Sequence, residues 1–384
     1  MEVKQIYDIM NTVTQEVLGS ETVVNEDLSN IVDIGNEIFN ASAVDNYVKS
    51  LVNHIGRVIF VSRPYAGNVP SVLMDAWEFG SVLEKLTAEI PQATENESWE
   101  LTDGTSYDPN VFYKPTVTAK FFNKRVTFEV PGSFTERQVK ESFSNAEQLN
   151  GFLSMLYNAV DKSMTVKIDA LVMRTINNMI GETLVDDYGD TEYAATSGVK
   201  AVNLLYLYNE KFNAELTPAD AITNAEFIRF ASYEMGVYMS RLSKISTLFN
   251  IGGKDRFTPP DLLHVVMLAD FKKAANVYLQ SDVFHDSFTE LPNADVVPYW
   301  QGSGTGYAFD DISSVNIKTA TGETVDASGI LCVMFDRDAL GVTNLDRRVT
   351  TNYNPKAEFY TNWYKFDAGY FNDTNENFVV FFVA

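Results

Sequence analysis

Residues 149–181 read LNGFLSMLYNAVDKSMTVKIDALVMRTINNMIG. Apolar side chains recur at Leu149, Phe152, Leu153, Leu156, Val160, Met164, Ile168, Leu171, Val172, Ile176, Met179 and Ile180. Steps of three and four keep one stripe facing a core for the whole run. Ser144 and Glu147 form a capping box at its start, and Gly181 supplies a stop. At 1.5 Å per residue the predicted helix is about 50 Å long, well beyond the usual globular length of about 12 residues. It reads as a girder on which the rest of the chain is built.

The segment before the helix differs in character. VTAKFFNKRVTFEVPG (117–132) alternates in the manner of a strand, with Val126, Phe128 and Val130 on one face. WEFGSVLEKLTAEIP (77–91) is read as the outgoing strand, and the polar, acidic stretch QATENESWELTDGTSYDPNVFY (92–113) as the tip between them. Two strands alone are marginal in water, so this excursion is expected to lean on another surface. Residues 1–50 contain short amphipathic helical pieces such as IYDIMNTVTQEVLG, an arm that needs something else to pack against. VDNYVKSLVNHIGRVIFVSRP (44–64) combines a helix with a strand ending at Pro64.

Beyond the helix, VDDYGDTEYAATSG (185–198) reads as an acidic loop and residues 199–250 as helices. FTPPDLLHVVML leads into a buried strand, DFKKAANVYLQSDVF into a helix capped by Asp270, and GILCVMFDRDALGV into a further strand. RRVTTNYN, AEFYTNWYKFDAGYF and NFVVFFVA supply three closing strands. The fold class is α+β.

Composition narrows the function classes. The chain has 384 residues, room for two or three domains, and 45% apolar residues, enough to fold. A formal charge of −23 argues against tight binding to phosphates, which requires clustered Lys and Arg. The one cysteine, Cys332, excludes an internal disulfide framework and reads as a buried strand thiol. MEVKQIYDIM lacks the character of a secretory signal, and no apolar run reaches the roughly 20 residues of a bilayer span.

Catalytic patterns are missing from the sequence. His54, His264 and His285 have no ligand-like spacing, and Asp186, Asp187, Asp190 and Glu192 fail the EF-hand pattern, reading as a solvated acidic loop. Gly302, Gly304 and Gly306 imitate a phosphate loop, but no Gly-Lys-Ser/Thr follows. No catalytic, metal or cofactor residue is assigned, and the chain is read as a non-enzyme.

The order of parts is more informative than any motif. LSNIVDIGNEIFNASAVDNYVKSLVNHIGRVIF (28–60), the helix at 149–180 and DRDALGVTNLDRRVTTNYNPKAEFYTNWYKFDAGYFNDTNENFVVFFVA (336–384) together resemble the major capsid proteins of tailed bacteriophages, the Hong Kong 97-like fold. The likeness is nearest to the coat proteins of small short-tailed phages. It implies an N-terminal arm (1–70), an extended hairpin or E-loop (71–131), a peripheral domain with the spine helix (132–221), an axial domain (222–345) and C-terminal strands returning to the peripheral domain (346–384). Some short-tailed relatives add an immunoglobulin-like domain after the last strand, and none is expected after Ala384 here. No Lys–Asn pair is predicted for the isopeptide cross-link that some members form.

The resemblance implies a self-assembling subunit of hexamers and pentamers in an icosahedral or prolate virion shell, made in the host cytoplasm. The shell encloses double-stranded DNA without sequence-specific binding, and its partners include a scaffolding protein and a portal, with no membrane and no cofactor. Two alternatives stay open: an encapsulin-like nanocompartment shell, and a carbohydrate-binding or carbohydrate-acting protein built on the aromatic-rich strands. The charge pattern adds an expectation about neighbours. Glu95, Glu97, Glu100, Asp103 and Asp108 at the hairpin tip of one copy should lie over Lys120, Lys124, Arg125, Arg347 and Arg348 of another.

Overall fold

In the computed structural model of the chain, the 149–181 stretch is helical and belongs to a longer element. The structure describes residues 3–19, 30–40, 83–91, 112–114, 116–142, 146–189, 192–279, 294–301, 308–319 and 322–384, with 24–25, 46–47, 50, 73–74, 93, 95, 110 and 306. Helices α1 (Val3–Leu18), α2 (Ile31–Asn40) and α3 (Glu136–Ser142) precede α4 (Ala146–Tyr188), which has 43 residues. At 1.5 Å per residue α4 is about 65 Å long.

Gly181 does not stop this helix. A Cβ at Gly181 would lie 2.4 Å from Ile317 Cδ1, so the missing side chain admits a neighbouring hairpin to the helix surface. The stop is Gly189, at φ +55°, whose N–H donates to the Val185 carbonyl at 2.8 Å. Only glycine enters that left-handed region without steric cost. Residues 185–188, expected in an acidic loop, are therefore the last turn of α4. Ser144, the expected cap, lies outside the described residues.

Burial along α4 changes midway. Val160, Met164, Ile168 and Leu171 make one buried line, whereas Val172, Ile176, Met179, Ile180, Leu184 and Tyr188 are joined by buried Thr175, Asn177 and Thr183 on other sides. The two threonine hydroxyls are satisfied within the helix, donating to Leu171 and Met179 carbonyls at 2.8 and 2.7 Å. The C-terminal half is thus wrapped, because two sheets meet there.

The first sheet has the order β1-β11-β12-β4, with β1 (Leu73–Met74), β4 (Arg125–Thr135), β11 (Leu340–Asn354) and β12 (Phe359–Asn372). Along β12, Tyr360, Asn362, Tyr364 and Phe366 are buried at every second position, the pattern of a sheet with one packed face. α4 packs against β4, β11 and β12. β4 crosses position 131, so the chain leaving the hairpin runs unbroken into this sheet.

The second sheet has the order β5-β13-β10-β6-β7, with β5 (Ala201–Asn203), β6 (Leu263–Leu268), β7 (Asp295–Val297), β10 (Ile330–Asp336) and β13 (Phe378–Phe382). Every residue of β10 and β13 is buried, as expected of central strands covered on both faces. Helices α5 (Leu204–Phe212), α6 (Pro218–Ala221), α7 (Ala225–Leu242), α8 (Ala269–Leu279) and α9 (Phe309–Ile312) belong to this part of the chain. α8 begins one residue before Asp270, which lies in its first turn rather than at its cap. A hairpin of β8 (Val315–Lys318) and β9 (Thr324–Ala327) packs on α4, and Asn177 Nδ2 donates to the Trp300 carbonyl at 2.8 Å.

The three closing strands thus divide between the sheets: β11 and β12 in one, β13 in the other. The turn 373–377, between β12 and β13, is one of two short covalent links between the sheets, the other being 337–339 between β10 and β11. At the other end of the chain, α1 packs on α4, with Met10 and Val13 buried, so the arm finds its packing partner on the long helix.

Candidate inter-subunit surface

The excursion before α4 is a two-stranded ribbon of β2 (Leu83–Ala88) and β3 (Val117–Phe122), antiparallel, with Lys85 opposite Lys120. Side chains alternate between the faces of a strand. Leu83, Lys85 and Thr87 therefore share one face with Thr118, Lys120 and Phe122. Glu84, Leu86, Ala88, Val117, Ala119 and Phe121 share the other.

The lysine face is turned toward the body and the apolar face toward solvent. Leu86 is 66% exposed and Phe121 61%, whereas Phe122 is 9% exposed and packs on Phe371 at 5.2 Å between ring centroids. Phe112 and Tyr113, nearer the tip, are both 84% exposed. A strand pair standing alone would hide its apolar face, because burial of apolar surface is the main stabilising term. This ribbon does the reverse.

Its inner face is held by ions. Lys85 Nζ lies 3.0 Å from Asp373 Oδ2 and 2.6 Å from Glu376 Oε1, and Lys120 Nζ lies 2.8 Å from Asp373 Oδ1. Arg256 Nε reaches Glu376 Oε1 at 3.1 Å, and Lys254 Nζ reaches Glu89 Oε1 at 2.8 Å. Two lysines directly opposite one another repel, and the two buried carboxylates of the 373–377 turn offset that repulsion. Burial pushes the Asp373 carboxyl up, but the Lys120 hydrogen bond and the Lys85 charge outweigh it and hold the group below the usual carboxylate range. Burial likewise works against the Lys85 ammonium, and the bond to Glu376 with the charges of both carboxylates raises it above an ordinary lysine.

The residues expected to meet a neighbour occupy different settings. Glu95 is exposed, and Glu97, Glu100, Asp103 and Asp108 lie outside the described residues. Lys120 is engaged in the cluster above. Lys124 and Arg125 are exposed at the β3–β4 junction, where the Lys124 carbonyl accepts from Tyr370 N–H at 3.1 Å. Arg347 is described in its backbone register only, opposite Phe366. Arg348 Nη1 donates to Asp367 Oδ2 at 3.0 Å, and Thr127 Oγ1 donates to Asp367 Oδ1 at 2.6 Å. Burial raises the Asp367 carboxyl, yet these bonds and the nearby Arg125 charge keep it below its ordinary value. The residues that sequence reasoning missed are Lys85, Arg256, Asp373 and Glu376. Nothing in a linear reading marks a lysine and a carboxylate nearly 300 positions apart as partners.

The other titratable groups have structural settings. Asp187 Oδ2 accepts from the Lys200 and Ala201 N–H groups at 2.6 and 2.7 Å, and Lys200 Nζ lies 2.8 Å from Asp187 Oδ1. That carboxylate fastens the end of α4 to β5 and is not the solvated loop group expected. Cys332 is buried in β10, where burial pushes its thiol up. His264 stacks on Phe335, and burial lowers its imidazole. His54, His285, Gly302 and Gly304 lie outside the described residues, and Gly306 sits against the Asp311 carboxylate. Among the described residues no group of His, Cys, Asp and Glu could hold a metal ion, and no helix is long and apolar enough to cross a membrane.

Residues 10–382 match the family described as Phi29-like phage major capsid protein. No curated protein sequence matches the chain. The capsid structure of Staphylococcus phage Andhra is similar, with 12% identity, a TM-score of 0.49, and 83% of this chain and 84% of that one covered. A chain from the structure of the head fibre and inner core protein gp22 of native bacteriophage P68 is 9% identical, with a TM-score of 0.46 and 82% and 83% covered. The capsid structure of the cyanophage P-SCSP1u gives 11%, 0.43, 85% and 92%. The family rests on the sequence match alone.

Proposed function

From its membership of the Phi29-like phage major capsid protein family, which makes it a structural protein of a phage capsid, we propose how this chain builds a shell. α4 is the spine helix of a Hong Kong 97-like subunit, and the β2–β3 ribbon is the base of its E-loop. The first sheet with α4 forms the peripheral part, the region around β10 and β13 the axial part, and α1 with α2 the N-terminal arm. Copies join as hexamers and pentamers into an icosahedral or prolate shell around double-stranded DNA, aided by a scaffolding protein and a portal. The subunit catalyses nothing. It is made in the host cytoplasm and resides in the virion. Neither the nanocompartment nor the carbohydrate reading gains support from the family match.

The observation that carries this proposal is the inverted ribbon: lysines inward, Leu86 and Phe121 outward. An apolar ribbon face left in water is a liability in a monomer and an asset where a sister molecule covers it. Stable contacts bury roughly 1,200–2,000 Å² in total, and an extended ribbon supplies that area without thickening a shell. Electron microscopy of the purified chain tests the reading: closed, uniform particles are expected, and a persistent monomer at high concentration overturns it.

The acidic tip is proposed to rest on Lys124, Arg125, Arg347 and Arg348 of a neighbour. Arg348 already has Asp367 within its own chain, so K124E/R347E is the cleaner reversal. Shell yield should fall, and a yield equal to that of the unaltered protein eliminates the pairing.

A further inference from the structure

The ion cluster at the ribbon root does more than satisfy its own charges. We propose that Asp373 and Glu376 are positioning residues for assembly: they lock the β2–β3 ribbon at one angle to the body before a neighbouring copy arrives. This deepens the capsid reading and rests on it.

The anchor is stiff. Asp373 N–H donates to the Ala339 carbonyl at 2.6 Å, Asn375 N–H to Asp373 Oδ1 at 3.1 Å, and Asn377 Nδ2 to Thr258 Oγ1 at 3.1 Å. The 249–253 loop backs the turn, with Gly252 N–H donating to the Thr374 carbonyl at 2.8 Å. A Cβ at Gly252 would meet the Asn375 side chain and come within 3.2 Å of its Cα, so Asn375 would have to shift to admit one. The turn also joins β12 of the first sheet to β13 of the second, so whatever it holds is referenced to both.

The ribbon has little else on its inner face. Phe122 and the half-buried Leu83 lie at the extreme root, and beyond them come Lys120, Lys85 and then threonines, none of which builds a core. Its direction is therefore set by Lys85 and Lys120, which meet the two carboxylates of the turn beside Arg256 of the body, with Lys254 of the body reaching Glu89 just past β2. A segment ordered in advance has less conformational freedom to lose on docking. A cluster of paired charges also has a defined geometry, whereas an apolar contact at the same place would let the ribbon slide. The outer face stays free for the neighbour.

The test separates angle from fold and from assembly. Spin labels at A88C on the ribbon and S240C on α7 report the ribbon angle in unassembled subunits, and light scattering reports assembly. The unaltered protein should give a narrow distance distribution. D373N/E376Q should broaden it and slow assembly on the order of tenfold, while K120R, which keeps the charge, leaves both unchanged. If D373N/E376Q fails to fold, K85Q/K120Q/R256Q/D373N/E376Q removes both sets of charges together and avoids an unpaired buried ion. A distance that stays narrow in the neutral variants, or a broadened distance with unslowed assembly, overturns the proposal. Absence of particles from the unaltered protein instead counts against the capsid reading itself, and L86D, which should block assembly while keeping the narrow distance, isolates the outer face from the anchor.

Discussion

β10 and β3 are both strands rich in apolar and β-branched or aromatic residues, yet they are stabilised in opposite ways. β10 runs ILCVMFD with every side chain buried between β13 and β6. β3 runs VTAKFF with only Phe122 buried, and its single strand partner, β2, is as exposed as itself. The inner strand is held by its own chain through area removed from water. The outer one is held at its root by charge, and its apolar face has no cover among the described residues. A subunit that must fold first and assemble second needs both arrangements. The inner sheet makes the tile, and the ribbon stays ready for a partner because its orientation costs the tile nothing in apolar burial.

Core truncation should separate the two regions most widely. Phe335→Ala removes a fully buried ring between His264 and Phe378 and should destabilise the unassembled subunit by about 3–5 kcal/mol. Chemical denaturation measures it, and a loss below about 1 kcal/mol would mean that β10 is not the inner strand described. Next in size is Gly181→Leu, which drives a side chain into Ile317 where the β8–β9 hairpin meets α4. Overpacking there should cost about 1–3 kcal/mol, and a second change, Ile317→Ala, should recover part of it.

Acid should release the ribbon before it unfolds the body. The Asp373 carboxyl is held below its ordinary value, so its contribution is complete above about pH 4 and is lost as pH falls through the lower folded-state value. Lys85 works with the opposite sign. Raised in the fold, it contributes fully below about pH 10.4 and loses that contribution only above its raised value. The protection of β2 amides, relative to their intrinsic exchange rate at each pH, should therefore fall in acid while β10 stays protected, and Asp373→Asn should abolish that step. Simultaneous loss in both strands would show that the two regions are one unit. The smallest expected effect is Leu86→Ala, within about 0.5 kcal/mol for the isolated subunit, together with a clear loss of shell yield. A large loss of subunit stability would place Leu86 in the chain's own core.

Much of the architecture is legible in the sequence because periodicity reports burial. The spacing from Val160 to Ile180 shows a helix with a core-facing stripe, the apolar runs at 263–268 and 330–336 show strands, and the alternation at 117–130 shows a strand that the Asn123–Lys124 break divides into β3 and β4. Gly181 misleads because a glycine ends a helix only where the backbone turns left-handed. Here it serves close packing, and nothing local distinguishes the two uses. Asp187 misleads for a related reason: its acceptors are filled by the N–H groups of Lys200 and Ala201, which a loop reading leaves out.

The sequence by itself determined that a long helix with a core-facing stripe exists, the two-strand excursion, the buried character of the inner strands and the acidity that argues against tight phosphate binding. Those properties depend on neighbours three, four or two positions apart, or on sums over the chain. Only the tertiary structure decided which ribbon face points outward, which sheet receives the last strand, and that Lys85 and Lys120 belong to Asp373 and Glu376. An alternating strand is equally apolar on paper whichever way it is turned. The choice is made by charges brought within 3.0 Å across 253 positions or more, and such distances exist only once the chain has folded.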